Sequence, residues 1–312
     1  MMQYSTRLRL RRSAFATSPG TSMSVTAALP QSIRLRETVL DFSRGARIMG
    51  VLNVTPDSFS DGGRHDGVTA AVEHGLRMQD EGADIIDIGG ESTRPGAPSV
   101  SADEEIARVL PVIEALRARS AVPISIDTRK ADVAAAAVAA GADIVNDVTA
   151  LQGDPAMTEL AAAQDLPVVL MHMQGDPATM QQQPHYDDVV GEILAFFRER
   201  IAYCAAHGMR RVIIDPGIGF GKTLQHNLAL LRALPRFREL GHPLLVGTSR
   251  KSFLGHITGR AVEHRLAGSL ASNTYAALHG AHILRVHDVG AMHDALRVIA
   301  AIEHGEEIIH AV

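Results

Sequence analysis

Three side chains that accept hydrogen bonds follow short apolar runs, a position typical of the end of a buried strand. They are Asp127, Asn146 and Asp215. Two carboxylates that lie close together repel each other unless donors or cations come between them. A flat heterocycle whose amino group is flanked by ring N–H donors meets this need, and an amide such as Asn146 can bind the mixed edge of such a ring. We therefore expect these residues to bind an amino-heterocycle, with Lys251 donating to a ring nitrogen or carbonyl oxygen.

Cationic side chains are concentrated in two later segments, "GTSRKS" (247–252) and "RVHD" (285–288). Arg285 and His287 are two positions apart, so they share one face if the strand continues. A diphosphate fits such a pocket, although a basic cluster on the surface would show the same pattern. The sequence thus predicts acids on one side of the site and cations on the other.

A further segment, "NVTPDSFSDGG" (53–63), contains two side chains with hard oxygen atoms, Asn53 and Asp57. Magnesium is usually bound by one or two such groups together with substrate phosphates. These residues are therefore candidates for holding Mg²⁺ beside the diphosphate.

The glycine-rich stretch "DPGIGFGKT" (215–223) looks like a phosphate-binding loop but fits neither common pattern. Pro216 stands where the phosphate-loop pattern requires glycine, and the glycines are spaced G-x-G-x-G, unlike the dinucleotide-binding pattern. We interpret the stretch as a sharp turn after a strand, which lets a ligand approach the backbone closely. Phe220 is then either an apolar wall of the site or a core residue.

Short apolar runs alternate with longer amphipathic stretches along most of the chain. Most runs are continuously apolar, as expected for parallel strands buried on both faces. The eight runs are 48–51, 85–88, 124–126, 144–145, 168–171, 212–214, 244–246 and 283–286. Helical patterns include 69–81, 102–119, 131–140, 187–207, 263–279 and 289–303. This order predicts an α/β fold, a (β/α)8 TIM barrel, with a doubly wound open sheet as the alternative.

A polar residue ends nearly every one of these runs. These residues are Asn53, Asp87, Asp127, Asn146, His172, Asp215, Ser249 and Arg285. Barrel enzymes place their active sites at the C-terminal ends of the strands, so this set predicts the rim of an active site. The alternative is that some of these side chains cap helices or tie loops together.

Composition limits the class of protein. The 312 residues are 46% hydrophobic and 21% charged, which indicates a globular chain, and a net charge of −5 gives no reason to expect nucleic acid as a partner. No apolar run approaches the roughly 20 residues that span a membrane. The single cysteine, Cys204, excludes an intrachain disulfide, and we expect an inert thiol in a cytoplasmic protein.

The first 33 residues differ from the remainder, because they contain four arginines and no acidic residue. We interpret residues 1–33 as a disordered extension or as the result of a start site assigned too early, with Met23 as the true start. An organelle transit segment is the alternative. The predicted barrel domain comprises residues 34–312.

Eight segments resemble, in order, the motifs of the dihydropteroate synthase family. The two longest, "MGVLNVTPDSFSDGG" (49–63) and "DIGGESTRPGA" (87–97), are highly specific. The others are "SIDTRK" (125–130), "NDV" (146–148), "LMHMQG" (170–175), "DPGIGFGKT" (215–223), "GTSRKS" (247–252) and "RVHDV" (285–289). The resemblance spans residues 48–289 and so covers essentially the whole predicted barrel.

The resemblance implies a pterin-binding (β/α)8 barrel that condenses 6-hydroxymethyl-7,8-dihydropterin diphosphate with 4-aminobenzoate. The products would be 7,8-dihydropteroate and diphosphate, in folate synthesis, with Mg²⁺ as cofactor. It also implies a homodimer formed through the helices late in the barrel and binding of sulfonamides, which mimic aminobenzoate. Ile218 stands where many members have phenylalanine, so the packing near aminobenzoate is expected to differ.

Individual residues match the family's functional positions. The pterin-binding positions are matched by Asp127, Asn146, Asp215 and Lys251, with Asp87 and Met171 also in the pocket. Arg285 resembles the residue that stacks against the pterin, His287 a diphosphate ligand and Asn53 the Mg²⁺ ligand. The aminobenzoate site is matched by Thr93, Arg94, Pro95, Phe220 and Ser249. The predicted catalytic residues are Asp127, Lys251 and Arg285, and the predicted substrate contacts include Val286.

Because aminobenzoate is a poor nucleophile, we expect diphosphate to leave first and to generate a cationic pterin methylene. The aniline nitrogen then captures this cation, which Asp127 stabilises. Mg²⁺, Arg285 and His287 are expected to offset the charge on the diphosphate. The loops 53–67 and 91–101 are predicted to close over the substrates and exclude water.

Two alternative functions remain at this point. A pterin-dependent methyltransferase domain shares the barrel and the pterin-binding acids, but it has no evident need for "STRPG" (92–96) or for the anion pocket. A non-catalytic pterin-binding module would keep the pocket without turnover.

Overall fold

The computed structural model describes residues 30–55, 63–92, 99–176 and 179–305. The strands are β1 Ser32–Arg34, β2 Val39–Asp41, β3 Arg47–Asn53, β4 Ile85–Gly89, β5 Ile124–Asp127, β6 Ile144–Asp147, β7 Val168–Met171, β8 Val212–Asp215, β9 Leu245–Val246 and β10 Ile283–Val286. The helices are α1 Gly63–Asp80, α2 Ala102–Arg117, α3 Ala131–Ala139, α4 Pro155–Ala163, α5 Val189–Ala206, α6 Leu224–Arg232, α7 Leu234–Arg238, α8 Ser252–Thr258, α9 Leu266–Leu278 and α10 Val289–His304. A short 3-10 helix, Val262–His264, precedes α9.

Strands β3 to β10 form a parallel barrel in which consecutive strands are neighbours. The last strand, β10, pairs with both β9 and β3. A parallel bridge between Ile214 and Leu244 joins the two remaining edges, so the sheet closes on itself. Each barrel strand is followed by at least one helix. The predicted (β/α)8 barrel is therefore confirmed, and closure excludes the doubly wound alternative.

Side chains inside the barrel form two layers, because alternate residues of a strand point to the same face. The lower layer is apolar and consists of Met49, Ile85, Ile144, Val169, Ile213, Leu245 and Ile283. The residues two positions further along are Val51, Asp87, Asn146, Met171, Asp215, Gly247 and Arg285. The barrel interior thus changes from an entirely apolar layer to one in which four of the seven residues are polar.

An antiparallel hairpin of β1 and β2 covers the lower end of the barrel. Its buried side chains, Ile33, Leu35, Leu40 and Phe42, pack in one cluster with the lower layer of the barrel. The sequence prediction missed this hairpin, because strands of three residues are too short to show a pattern. It begins at Ser32, two residues before the predicted start of the domain.

The helices surround the barrel and bury its outer face. The second and larger hydrophobic cluster lies between strands and helices and includes Cys204, which is fully buried, as expected for a structural thiol. The helical patterns named from the sequence did not include α4, α6, α7 and α8. Of these, α4 has a clear start, because Asp154 accepts from the amide of Ala156 at 3.0 Å and Pro155 is its first residue. Among the described residues, no helix is both long enough and apolar enough to cross a membrane.

Candidate active site

An open cavity of about 450 Å³ lies at the C-terminal ends of the barrel strands. Nine residues singled out from the sequence line it: Asp127, Asn146, Met171, Asp215, Phe220, Ser249, Lys251, Arg285 and His287. Val51, Val148 and Gly247 also line it and were missed. Val51 and Gly247 each stand two positions after a residue of the lower apolar layer. The alternation of side chains along a strand would therefore have predicted that they face the cavity.

Arg285 lies between two carboxylates from neighbouring parts of the barrel. Its Nε donates to Oδ2 of Asp87 at 2.6 Å, and its Nη2 donates to Oδ2 of Asp127 at 2.7 Å. Burial opposes the charge of Arg285, but Asp87 and Asp127 outweigh it, so its pKa is raised above the ordinary value. The guanidinium is therefore the cation that lets two acids share this space.

Asp127 is the acid with unused hydrogen-bonding capacity. Its side chain is almost completely buried, and its Oδ1 atom has no hydrogen-bond partner among the described residues. Burial raises its pKa to about 7, although the nearby Arg285 lowers it. A buried acceptor without a partner is costly, so this oxygen is the natural point for a donor of a ligand.

Two predicted contact residues lie outside the cavity lining. Asp87 is fully buried and accepts from Arg285 and, at 3.2 Å, from the amide nitrogen of Asn146. Asp87 therefore holds the side chains of Arg285 and Asn146 in position without lining the cavity itself. Val286 belongs to the core between strands and helices, because its side chain points away from the face shared by Arg285 and His287.

Asp215 and Lys251 form the opposite wall together with Phe220. Oδ1 of Asp215 accepts from the amide of Gly217 at 2.8 Å, and burial raises the pKa of this carboxyl while Lys251 lowers it. Lys251 donates from Nζ to the carbonyl of Ile218 and lies 4.4 Å from the centre of the Phe220 ring. Burial lowers the pKa of Lys251 to about 8, against the effect of Asp215.

The predicted division of the site into an acidic and a cationic side is not found. Arg285 is bound to the acids, and Lys251 lies on the wall with Asp215. Arg250, which belonged to the predicted cationic segment, forms an ion pair with Asp288. Charges alternate in this buried site because an unpaired charge is costly at low dielectric.

His287 and Ser249 occupy the end of the cavity at β9 and β10. The hydroxyl of Ser249 lies 3.2 Å from the backbone nitrogen of His287 and 3.0 Å from its ring Nδ1. This contact fixes the imidazole at the rim. These two residues are the remaining polar groups of the predicted anion pocket that line the cavity.

The glycine-rich turn does not present its amides as a phosphate loop would. The amide of Gly217 is bound to Asp215, that of Gly219 donates to Oδ1 of Asn227 at 2.7 Å, and that of Phe220 to the carbonyl of Gly217. Gly217, Gly219 and Gly221 have left-handed φ angles of 66°, 86° and 61°, which glycine adopts without strain. The turn is therefore a wall of the cavity. Ile218 is fully buried in the core, so its side chain does not reach this wall.

A second, smaller cavity adjoins Asp127 and was not predicted. It is lined by Glu91, Ser92, Glu105, Asp127, Thr128, Arg129 and Val148. Lys130 binds Oε2 of Glu91 at 2.6 Å and also contacts the fully buried Glu105. This ion-pair cluster joins the segment after β4 to the segment after β5. A cluster of this kind has no local pattern, because its members come from three separate segments.

The remaining predicted residues concern the metal and the aminobenzoate site. Asn53 ends β3 and is half-buried. No cluster of three or more metal-binding His, Cys, Asp or Glu side chains is found in the part of the chain that the structure describes. Asp57, Thr93, Arg94 and Pro95 lie outside the described residues, as do parts of the predicted closing loops 53–67 and 91–101.

Sequence comparison identifies the family. The model of the pterin-binding enzymes matches residues 49–287. The dihydropteroate synthase of Escherichia coli K12 is 50% identical over 272 residues, which cover 86% of this chain and 96% of that enzyme. The chain belongs to the dihydropteroate synthase family.

Solved structures of this family agree with the observed fold. The dihydropteroate synthase of Xanthomonas albilineans, solved with 4-aminobenzoic acid, superposes with a TM-score of 0.83 at 51% identity and covers 88% of this chain and 98% of its own. The enzyme of Yersinia pestis, solved with a sulfonamide drug, superposes with a TM-score of 0.82 at 47% identity and covers 87% of this chain and 99% of its own. Both therefore match nearly their full length.

Proposed function

We propose that the protein condenses 6-hydroxymethyl-7,8-dihydropterin diphosphate with 4-aminobenzoate to give 7,8-dihydropteroate and diphosphate. The observation that carries this proposal is Asp127, a buried acid that lines the cavity and keeps one oxygen without a hydrogen-bond partner among the described residues. Asn146 and Asp215 line the same cavity, so acceptors meet the amino group and ring N–H groups of a pterin from several sides. This is the reaction of the family to which the chain belongs.

In the proposed chemistry, the bond between the pterin methylene and the diphosphate oxygen breaks first. Its electron pair leaves with the diphosphate, and the positive charge spreads over the electron-rich dihydropterin. The carboxylate of Asp127, held by Arg285, stabilises this charge. The aniline nitrogen then forms the new C–N bond and loses a proton. Because the aniline is unprotonated at neutral pH, no strong general base is needed.

The cavity offers groups for both ends of the pterin substrate. His287 and Ser249 lie at one end and are the candidates for contacting the diphosphate. Lys251 and Phe220 lie on the wall opposite Asp127 and are the candidates for contacting the aminobenzoate and the pterin carbonyl. The small cavity between Glu91 and Asp127 is also lined by Ser92, the residue that precedes Thr93 in the sequence.

The test is release of diphosphate by the purified protein. We expect release only when dihydropterin diphosphate and aminobenzoate are both present, without any methyl donor. Dihydropteroate formed in equal amount identifies the product. Binding of the pterin without turnover would instead identify a non-catalytic module, and a requirement for a methyl donor would identify a methyltransferase.

We propose that Mg²⁺ assists the reaction and is held mainly by the diphosphate. Asn53 supplies an amide oxygen at the rim, and few protein ligands fit an ion that keeps water and phosphate oxygens. Bound there, Mg²⁺ would neutralise charge on the leaving diphosphate. Asn53→Ala should raise the Mg²⁺ concentration needed for half-maximal rate, while Tm stays near that of wild type. An unchanged requirement would assign the metal to other groups.

We further propose a homodimer formed through the helices late in the barrel. Exposed apolar side chains gather on α8, α9 and α10, including Tyr275 and Leu278 on α9 and Ile302, which is 78% exposed, on α10. Clusters of this kind mark association surfaces. Leu278→Glu should convert the dimer to monomer in light scattering. Val39→Glu is the control, because Val39 is also exposed but lies on the hairpin at the other end. A monomeric wild type would contradict the proposal.

Two further properties follow from the same proposal. Sulfonamides should inhibit in competition with aminobenzoate, since the Ile218 side chain lies in the core and does not narrow the cavity. Inhibition that aminobenzoate does not relieve would contradict this. We also propose a cytoplasmic location, where the buried thiol of Cys204 stays reduced; fractionation of cells tests it.

A further inference from the structure

The chain contains three lysines among its 30 basic residues, and all three follow barrel strands at the C-terminal face. They are Lys130, Lys222 and Lys251. An ammonium group is a compact charge on a thin stem, whereas a guanidinium is a broad planar group. In a chain that otherwise uses arginine, a buried lysine indicates a place where only the compact group fits. Lys251 lines the cavity and Lys130 belongs to the ion-pair cluster, but Lys222 does neither.

Lys222 lies at the end of the glycine-rich turn and is 3% exposed. Its Nζ atom lies 2.9 Å from the carbonyl oxygen of Phe220, 3.2 Å from that of His172 and 3.1 Å from the ring Nδ1 of His172. Three acceptors therefore surround Nζ and match the three protons of its ammonium form, and burial lowers the pKa of Lys222 to about 7 against the effect of Asp215. Burial lowers the pKa of His172 to about 3, so its ring is neutral, and the contact with Nζ corresponds to the tautomer in which Nδ1 accepts and Nε2 carries the proton.

These contacts join the two segments that form one wall of the cavity. His172 directly follows Met171, which lines the cavity at the end of β7, and Phe220 lines it from the turn after β8. Gly217 and Gly221 allow the turn to lie against the segment after β7, where any larger residue would meet the backbone of His172 or Gln174. The ammonium of Lys222 is the polar group between the two segments at Phe220.

The carbonyls of residues 218–221 in the turn each accept from a side chain, in three cases from another segment. Lys251 donates to the carbonyl of Ile218, Gln181 to that of Gly219 at 2.6 Å, and the hydroxyl of Tyr186 to that of Gly221 at 2.9 Å. Lys222 holds the remaining one, that of Phe220 itself. Lys222 thus fixes the backbone of Phe220, whereas Lys251 contacts the ring itself, 4.4 Å from its centre.

We propose that Lys222 is a positioning residue that acts on aminobenzoate binding through Phe220. The inference rests on the proposed function. The pterin contacts Asp127 and Asn146 lie at the ends of strands β5 and β6 and bond to Arg285 and Asp87, which lie outside the turn, whereas Asp215 also accepts from the amide of Gly217. Phe220 belongs to the turn itself, and its ring lines the cavity. Loss of the ammonium should therefore weaken binding of the aromatic acid and leave binding of the pterin diphosphate unchanged.

The test compares Lys222→Met with wild type in steady-state kinetics for both substrates. We expect KM for aminobenzoate to rise on the order of tenfold or more, the size of effect that a small misplacement in an active site produces. KM for the pterin diphosphate should stay within about twofold of wild type. A wild type without activity would contradict the proposed function, whereas an active wild type with an unchanged variant would overturn the role of Lys222 alone.

Arg117→Met is the matched control for general loss of stability. Arg117 also ties backbone carbonyls of two loops, those of Val122 at 3.0 Å and Gly141 at 2.9 Å, but at the opposite end of the barrel. It should lower Tm without changing either KM. If Arg117→Met raises KM for aminobenzoate as much as Lys222→Met does, the effect is one of stability and the inference is wrong.

A double-mutant cycle with Phe220→Ala identifies the route of the effect. If Lys222 acts through Phe220, the double variant should have nearly the same KM for aminobenzoate as Phe220→Ala alone. Effects that multiply would show that Lys222 acts elsewhere. Lys222→Gln, which keeps one donor toward the Phe220 carbonyl, should recover part of the affinity and serves if Lys222→Met does not fold. A Gln variant as weak as Phe220→Ala would also overturn the inference.

Discussion

Replacing Asp127 by asparagine separates the chemical role of this carboxylate from its structural role. The side chain keeps its shape, and the amide oxygen can still accept from Nη2 of Arg285, which lies 2.7 Å from Oδ2 of Asp127. The amide nitrogen then takes the place of Oδ1, the atom without a partner among the described residues. A ligand that donates to Oδ1 would meet a second donor there.

The expected loss of activity is large. The substitution removes the negative charge that faces the developing cation, and loss of one preorganised contact of this kind costs about 3–4 kcal/mol, or roughly 10²–10³ in rate. Both kcat and kcat/KM should fall, because the interaction strengthens as the cation forms. Arg285 stays paired with Asp87 at 2.6 Å, so the site keeps its other buried ion pair.

The expected change in stability has the opposite sign. Burial raises the pKa of Asp127 from 3.8 to about 7, so the folded state holds this proton more tightly than the unfolded state does. Stability is therefore lost as the pH rises from about 4 to 7, by at most roughly 4 kcal/mol at 1.36 kcal/mol per pKa unit. Above pH 7, Asp127→Asn should leave the free energy of unfolding unchanged or raise it.

Initial rates of diphosphate release and urea denaturation, both between pH 5.5 and 9, test these expectations together. Wild-type kcat/KM should fall as the pH drops through about 7, where Asp127 becomes protonated, and the residual rate of the variant should lack this limb. A variant within about tenfold of the wild-type rate would refute the role assigned to Asp127. The role assigned to Asp127 would also be refuted if the loss of activity in the variant were fully explained by a loss of folded protein.

Two other predictions concern the backbone and the lower end of the barrel. A Cβ atom on Gly217 would lie 1.9 Å from the backbone oxygen of His172, whereas Gly208, which has a similar left-handed φ, has open space. In thermal denaturation, Gly208→Ala should cost roughly 1–2 kcal/mol, and Gly217→Ala clearly more, since its neighbour is backbone; equal costs would contradict the close approach. His282 accepts from the amide of Leu244 at 3.0 Å, and burial lowers its pKa to about 4. The unfolded state therefore binds a proton on the His282 imidazole more tightly than the folded state does. The contribution of His282 to the free energy of unfolding should be fully present above about pH 6.5 and should decrease toward pH 4, by roughly 3 kcal/mol. Urea denaturation of His282→Asn, which keeps an acceptor without titrating, should show a weaker dependence on pH, and an identical dependence would exclude this role.

Features that depend on the local geometry of the chain were predictable from the sequence. The apolar runs located all eight barrel strands, and five of the eight polar residues at their ends line the cavity, because side chains alternate along every strand. Family motifs added the reaction. The hairpin at the lower end escaped because its strands are short, and the named helical patterns did not include α4, α6, α7 and α8, none of which is longer than nine residues.

The pairing of charges was decided only by the tertiary structure. Arg285 is 198 residues from Asp87 and 158 residues from Asp127, and nothing in its own segment indicates that it binds acids in place of an anion. In the same way, Arg250 turns to Asp288, and Lys222 joins two segments 50 residues apart. Spacing along a strand is a property of the backbone and can be read locally. Which charges meet depends on closure of the barrel and on the need to neutralise buried charge at low dielectric, and both exist only in the folded protein.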